Sequence, residues 1–202
     1  MFGTNSSDTD RGQAYTLEGL IGAMIVLMAV LFALQSAVIM SSTGGEGDQS
    51  VQEQVQQEVQ DSLIVANQEG NLSELVRNWN AEGEFENASQ PINGTNTYTV
   101  SEFENESKLG RILNQRFQDP KYNVELHPVN SSKRHLVYQA SPPPSASIAS
   151  YTVTLYDNQT VTSASVSKEL HATDSDTRII PREYQDETSL YNVVEVRVIV
   201  WR

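Results

Sequence analysis

The sequence has 202 residues, with 26 acidic residues against 13 Lys and Arg, a formal net charge of −13 and no cysteine. Nucleic-acid binding requires clustered basic residues, so no nucleic-acid partner is expected. The lack of cysteine excludes disulfide bonds, thiolate metal ligands and a cysteine nucleophile. An acidic surface that is poor in lysine is typical of proteins in molar salt, which screens self-repulsion, and indicates a halophilic source; an ordinary acidic surface domain is the alternative.

A long apolar run, Leu20 to Met40, dominates the first part of the chain. Only Gly22, Gln35 and Ser36 interrupt it, and it contains no charged residue. A helix of roughly 20 residues spans the ~30 Å hydrocarbon core of a bilayer and satisfies its own backbone groups there. The run therefore predicts a single membrane-spanning helix.

A removable signal peptide is the alternative interpretation of this run. Signal peptides have an apolar core of only about 7–15 residues and a cleavage site of small residues directly after it. The run is longer than that, and Ile39–Met40–Ser41 is a poor cleavage site. Arg11 on the N-terminal flank and acidic residues on the other flank predict a single-pass protein of the cell membrane, with a cytoplasmic N-terminus and an extracellular C-terminal domain.

The residues just before the run read Arg-Gly-Gln-Ala-Tyr-Thr-Leu-Glu, from Arg11 to Glu18. This stretch, followed by a long apolar helix, resembles the N-terminus of archaeal type IV pilin-like and archaellin-like proteins. The resemblance implies that a prepilin peptidase cuts between Gly12 and Gln13 and that the helix then packs in a filament core. It also implies that Glu18 pairs with the terminal amine of a neighbouring subunit. Cleavage after Gln13 would place Glu18 at the fifth mature position, where the family has its glutamate.

Glu18 has a simpler interpretation as well. A carboxylate in the first turn of a helix is favoured by the helix dipole, and at the start of an apolar helix it can reach the polar interface. On this interpretation Glu18 has no role in assembly.

The expected organisation has four parts. Residues 1–12 form a cytoplasmic leader, and residues 13–41 form the prepilin-like motif with the transmembrane helix. Residues 42–50 contain several glycines and predict a flexible hinge. Residues 51–202 are expected to form one extracellular domain with its own core.

The extracellular domain is expected to begin with an amphipathic helix. Val51, Val55, Val59 and Leu63 recur every four residues, and the intervening residues are rich in Gln and Glu. This stripe is expected to pack on the sheet of the same domain. The alternative is a stalk that pairs with a neighbouring subunit.

The remaining pattern predicts short helices, loops and a mostly antiparallel sheet. The helices are expected at residues 72–79 and 108–118, the loops at 80–96 and 171–190, and the strands at 97–103, 122–129, 133–140, 150–156, 160–166 and 191–201. The last strand is so apolar that it is expected at the centre of the sheet. Residues 141–145 contain three prolines and predict either a rigid loop or a crossing between two halves of the sheet. The predicted fold class is α+β: an N-terminal transmembrane helix followed by a mostly antiparallel β-sheet domain packed by an amphipathic helix.

Several residues are candidates for modification or binding. Sequons for N-glycosylation occur at Asn71, Asn87, Asn93, Asn105, Asn130 and Asn158. His127 and His135 lie on proposed neighbouring strands, but neither they nor His171 have the spacing of metal ligands. The acidic clusters 174–177 and 186–188 offer oxygen ligands for a divalent cation, and solvated loops are the favoured alternative.

The sequence contains no catalytic motif, so no enzymatic activity, cofactor or metal is expected. The predicted function is a membrane-anchored cell-surface structural subunit that resembles a type IV pilin or minor pilin. Its expected partners are the membrane, other pilin-like subunits and a prepilin peptidase. The alternative is an anchored extracellular binding or adhesion module that does not polymerise.

Overall fold

The computed structural model of the protein describes residues 18–31, 46–68, 70–92, 94–117, 119–184 and 189–202. The chain divides into two compact units, Met1–Gln49 and Ser50–Arg202. Helix α1, at residues 18–31, belongs to the first unit. Of the predicted hinge at residues 42–50, residues 42–45 lie outside the described residues, whereas residues 46–50 are helical.

The structure corrects the predicted fold class at its N-terminal end. Helix α1 is about 21 Å long over its described residues, which is shorter than the ~30 Å hydrocarbon core of a bilayer. Among the residues that the structure describes, no helix is both long and apolar enough to cross a membrane. The predicted N-terminal transmembrane helix is therefore wrong as part of the fold class. The rest of the predicted run, from residue 32 to Met40, lies outside the described residues.

The second unit is an α+β domain with antiparallel sheets. The helices of the described chain after α1 are α2 (Glu46–Gln68), α3 (Asn71–Val76), α4 (Val100–Glu106) and α5 (Lys108–Arg116), with a short 3₁₀ helix at Leu170–Ala172. The strands are β1 (Gln90–Ile92), β2 (Thr95–Thr97), β3 (Lys121–Pro128), β4 (Arg134–Val137), β5 (Ser147–Tyr156) and β6 (Leu190–Trp201).

The main sheet has four strands in the order β4-β3-β6-β5, and all its pairs are antiparallel. The prediction that the C-terminal strand lies at the centre is confirmed, since β6 pairs with β3 on one side and β5 on the other. Strands β4 and β5 lie at opposite edges, so the proline-containing residues 141–145 cross from one edge to the other. A backbone without three of its N–H donors can make this crossing, because it needs no partner strand.

The core lies on one face of this sheet. Alternate residues of β6 point into it, which leaves Glu195 and Arg197 on the other face. Helix α2 covers the core with Val59 and Leu63, as its stripe predicted, whereas Val51 at the start of the stripe is exposed. The largest buried side chains come from the helices, the loops and the sheet: Trp79, Phe85, Tyr98, Phe103, Tyr122 and Tyr191.

Two predicted strands are wrong. Residues 97–103 contain the end of β2 and the start of α4, because Thr99 and Glu102 form a capping box in which each side chain bonds the backbone of the other. The predicted strand 160–166 does not pair with β5, whose only strand partner in the described chain is β6. Its one bridge joins Thr160 to Glu169. Conversely, the predicted loop 80–96 contains β1, which forms a hairpin with β2.

Candidate functional site

Polar side chains cluster on the outer face of the main sheet, opposite the core. Glu125 and His127 lie on this face of β3, since alternate residues of a strand share a face. The antiparallel register places Glu125 beside His135 of β4 and Arg197 of β6. The pairing of three strands therefore brings together side chains that are up to 72 residues apart in the chain.

Glu125 is the centre of this cluster and is only 4% exposed. Lys133 Nζ donates a hydrogen bond to its Oε1 atom at 2.7 Å, and His127 Nε2 lies 2.8 Å from its Oε2 atom. His135 Nδ1 lies 3.5 Å from Oε1. Both carboxylate oxygens are thus engaged by nitrogen atoms, which is the condition under which a buried charge is tolerated.

This environment sets the charges of the cluster. Burial raises the pKa of Glu125, but hydrogen bonds from Lys133 and His127 outweigh burial, and the pKa of this carboxyl lies below its ordinary value. Burial lowers the pKa of His135, and the negative charge of Glu125 opposes this only in part. At neutral pH, Glu125 is therefore ionised and His135 is uncharged.

A second ion pair lies on the same face along β6. Arg197 Nη2 donates to Glu195 Oε2 at 2.8 Å. The main cause that lowers the pKa of Glu195 is a hydrogen bond with Ser150 of the adjacent strand. Burial raises this pKa by less than that bond lowers it, and Arg197 lowers it further. Glu195 is therefore ionised at neutral pH and takes up part of the hydrogen-bonding capacity of Arg197.

One wall of an open cleft of about 660 Å³ is formed by Glu125, Lys133, His135 and Arg197. The cleft extends from the outer face of the sheet to β1 and to the start of the proline-containing crossing. Its lining residues are Pro91, Ile92, Glu125, Lys133, His135, Tyr138, Ser141, Pro142, Arg197 and Ile199. The ring of Tyr138 meets that of His135 edge to face at 5.0 Å, and its hydroxyl lies 3.1 Å from Ser141 Oγ. The volume is within the ~300–1,000 Å³ of small-ligand sites.

The cleft does not have the ligand set of a metal centre. Within the described ranges, no group of three or more His, Asp or Glu side chains is arranged to hold a metal ion. In the acidic cluster at residues 174–177, Asp174 pairs with Lys168 at 3.2 Å. The other predicted cation cluster, at residues 186–188, lies outside the described residues.

The residues that the pilin resemblance singles out lie near the N-terminus of the chain. Glu18 is the first described residue of α1, and it is exposed. Gly12 and Gln13, which flank the predicted cleavage site, lie outside the described residues. Nine large apolar side chains follow Glu18 on α1, each between 51% and 64% exposed: Leu20, Ile21, Met24, Ile25, Val26, Leu27, Met28, Val30 and Leu31.

The candidate glycosylation sites differ in exposure. Asn87, Asn105, Asn130 and Asn158 are exposed, whereas Asn71, the first residue of α3, is partly buried. Asn87 and Asn130 have positive φ angles of 61° and 52°, which Asn tolerates better than most residues. Asn93 lies outside the described residues.

The sequence pointed to His127 and His135 as neighbours but not to Glu125 and Lys133. The structure does bring the two histidines together, with Glu125 in contact with both, while His171 is exposed elsewhere and pairs with Glu169 at 3.2 Å. A usable signal was present: Glu125 and His127 share a face by their spacing of two residues. A hairpin turn after β3 then returns Lys133 and His135 to the same face.

The structure thus defines an α+β protein with an exposed apolar N-terminal helix and a polar cleft on the outer face of its sheet. A family model matches residues 11–200, and its description is a family of unknown function, DUF7288. Because the match covers most of the chain, the protein belongs to this family. No curated protein and no solved structure matches the chain.

Proposed function

We propose that this protein is a structural subunit of the cell surface that assembles with other subunits through its N-terminal helix, in the manner of type IV pilins, and displays its α+β domain outward. The observation that carries the proposal is the exposure of the nine large apolar side chains of α1. At 100° per residue these side chains point to all sides of the helix, and a helix that is apolar all round needs burial.

The energy at stake favours assembly. Burying one large apolar side chain contributes about 1.5–3 kcal/mol, so packing α1 among copies of itself gains on the order of 10 kcal/mol per subunit. Glu18, at the start of α1, is the carboxylate that the pilin resemblance pairs with a terminal amine. Removing one partner of an ion pair that is excluded from water leaves an unpaired charge, which is costly. The pairing of Glu18 with the terminal amine would therefore fix the register between neighbouring helices.

The family match supports treating the two parts of the chain as one protein. It runs from Arg11 to Val200 and so takes in the pilin-like stretch, α1 and the domain together. On this proposal a prepilin peptidase is a partner, and cleavage at Gly12–Gln13 supplies the terminal amine for Glu18.

The first test is the mass of the mature N-terminus in protein recovered from cells. A terminus at Gln13 or Ala14 is expected. An intact leader on surface-exposed protein would contradict processing and, with it, the pairing of Glu18.

The second test compares two variants that remove the same charge. Glu18→Gln is expected to abolish recovery of the protein in sedimentable fibres. Glu53→Gln, at an exposed position on α2, is the matched control and is expected to leave fibre yield unchanged. Equal fibre yields from Glu18→Gln and the wild type would remove the carboxylate from the assembly mechanism.

The cleft favours a second candidate function, a binding or adhesion module that does not polymerise. A cleft of about 660 Å³ with convergent polar groups is a feature that a purely structural subunit does not need. A monomeric species at the cell surface with an intact leader would favour this alternative.

A further inference from the structure

The charges that face the cleft differ in sign from the chain as a whole. The chain carries a net charge of −13, yet the exposed charged side chains that line the cleft are the cations Lys133 and Arg197, which are 50% and 33% exposed. Glu125, the carboxylate among the lining residues, is only 4% exposed. A ligand entering the cleft therefore meets the N–H donors of these two cations before the carboxylate of Glu125, while Glu195, the partner of Arg197, is 33% exposed and is not among the lining residues.

The hydrogen-bonding capacity of the cleft is also unbalanced. The oxygens of Glu125 already accept from Lys133 and face both histidines. Lys133 has three N–H donors and Arg197 has five, and each is seen to use one of them on a carboxylate. The cleft thus offers donors to a ligand that accepts, and a carboxylate matches the planar fork of an arginine.

The other walls of the cleft are apolar. Pro91 and Ile92 of β1, Pro142 of the crossing and Ile199 of β6 contribute aliphatic surface, and Tyr138 contributes an aromatic ring. Such surfaces suit the C–H face of a saturated ring, while the polar groups at the sheet fix the orientation of that ring.

We propose that this cleft binds a carboxylate-bearing sugar, a uronic acid residue of a glycan. Its carboxylate lies between Lys133 and Arg197, and its ring lies against Tyr138 and the proline and isoleucine side chains. The proposal goes beyond assembly and does not depend on it, because every residue of the cleft belongs to the α+β domain.

The experiment titrates the full chain at low ionic strength with trigalacturonate and, separately, with its uncharged methyl ester. Binding is measured by calorimetry and by the ring resonances of His135 and Tyr138 in NMR spectra. The acid is expected to bind and to shift these resonances, and the methyl ester is expected to bind at least about tenfold more weakly, since a hydrogen bond to a charged group is the interaction lost.

Variants with matched charge locate the site. Lys133→Gln and Arg197→Gln are each expected to weaken binding about tenfold or more. Lys168→Gln removes the same charge at an exposed lysine outside the cleft and is expected to bind as the wild type does. Thermal unfolding of each variant confirms that it is folded before titration.

Several results would overturn the proposal. Equal affinity for the acid and its ester would exclude carboxylate recognition. A loss of affinity in Lys168→Gln equal to that in Lys133→Gln and Arg197→Gln would show that binding depends only on net charge. Tetraglutamate binding as tightly as trigalacturonate would exclude recognition of the sugar ring. Absence of binding to trigalacturonate at millimolar concentration would exclude the site altogether. None of these results bears on whether Glu18 drives assembly.

Discussion

The backbone of Gly110 packs directly against the backbone of Phe103, because a Cβ atom on Gly110 would lie only 2.0 Å from the Phe103 carbonyl oxygen. Gly110 is in the first turn of α5, and Phe103 is a core residue of α4. The two helices share Ser107, which ends α4 and begins α5. A residue without a side chain is therefore required where the chain turns this corner.

We predict that Gly110→Ala destabilises the domain. Alanine favours a helix interior over glycine by about 1 kcal/mol, but the new methyl group would force two backbones apart, and overpacking costs about 1–3 kcal/mol or more. Urea unfolding should show a net loss of stability. Gln115→Ala, at an exposed position of α5, is the control and should change stability by less than about 0.5 kcal/mol. A Gly110→Ala variant at least as stable as the wild type would show that the corner is loosely packed.

Ser107 provides a second test of the same corner. Its Oγ accepts from the backbone N–H of Gly110 at 2.8 Å and donates to the carbonyl of Phe103 at 3.0 Å. Ser107→Ala removes the N-cap of α5 and should cost about 0.5–2 kcal/mol in the free energy of unfolding. Ser101→Ala, on the exposed side of α4, should be nearly neutral. If both variants lose the same stability, the cap does not contribute.

The cluster around Glu125 predicts that the stability of the folded domain decreases in two stages as the pH is lowered. Burial lowers the folded-state pKa of His135, so the unfolded chain binds the proton more readily. The contribution of neutral His135 is therefore full above its ordinary pKa of about 6.5 and is lost as the pH falls below that value. The net lowering of the pKa of Glu125 gives a contribution that is present above about pH 4.3 and is lost at lower pH, as the pH falls through its folded-state pKa.

Urea unfolding at pH 7.5, 6.5, 5.5 and 4.5 measures the first stage. The free energy of unfolding should decrease as the pH is lowered from 7.5 to 4.5. In His135→Gln it should change less than in the wild type between pH 7.5 and 5.5. Glu125→Gln should lower stability at pH 7.5, because the amide cannot replace the carboxylate toward Lys133 and His127. A profile for His135→Gln that runs parallel to that of the wild type would contradict the assignment to this histidine.

The parts of the fold that the sequence predicted well are those with strong local patterns. The apolar character of residues 191–201 predicted β6 and its central place, and the spacing of four in α2 predicted the core positions of Val59 and Leu63. The hairpin of β3 and β4 follows from a turn around Asn130. These signals lie within about a dozen residues of one another and need no knowledge of distant partners.

The wrong strand predictions arose where a competing local interaction or a distant strand determines the structure. The weak alternation at residues 97–103 predicted a strand, but the capping box of Thr99 and Glu102 fixes a helix start there. The strand predicted at 160–166 does not form, and β5, the strand before it in the chain, pairs with the distant β6 instead. The cleft depends on the register of three strands and on a crossing segment, and no local pattern determines these.

The segment at residues 160–162 has a different role, which Arg77 explains. Arg77 is 9% exposed, and its guanidinium donates to the carbonyl of Thr160 and, at 3.0 Å, to that of Ser73. The backbone carbonyl of Arg77 accepts from Thr162 N–H at 3.1 Å, and the Thr162 hydroxyl donates to the carbonyl of Glu74 at 2.7 Å. Backbone N–H groups at the end of α3 reach the carbonyls of Glu74 and Leu75, and the side chains of Arg77 and Thr162 add donors to the carbonyls of this last turn.

We therefore predict that Arg77→Met detaches this segment from α3. Methionine keeps much of the aliphatic packing but none of the donors, and losing hydrogen bonds from a charged group should cost about 1.5–3 kcal/mol. Hydrogen exchange should become faster at the amides of Val161 and Thr162, while the amides of β6 change only with global stability. Arg111→Met, at an exposed position of α5, is the matched control and should leave both measurements at wild-type values. Unchanged exchange at Thr162 in Arg77→Met would show that the backbone bond alone holds the segment in place.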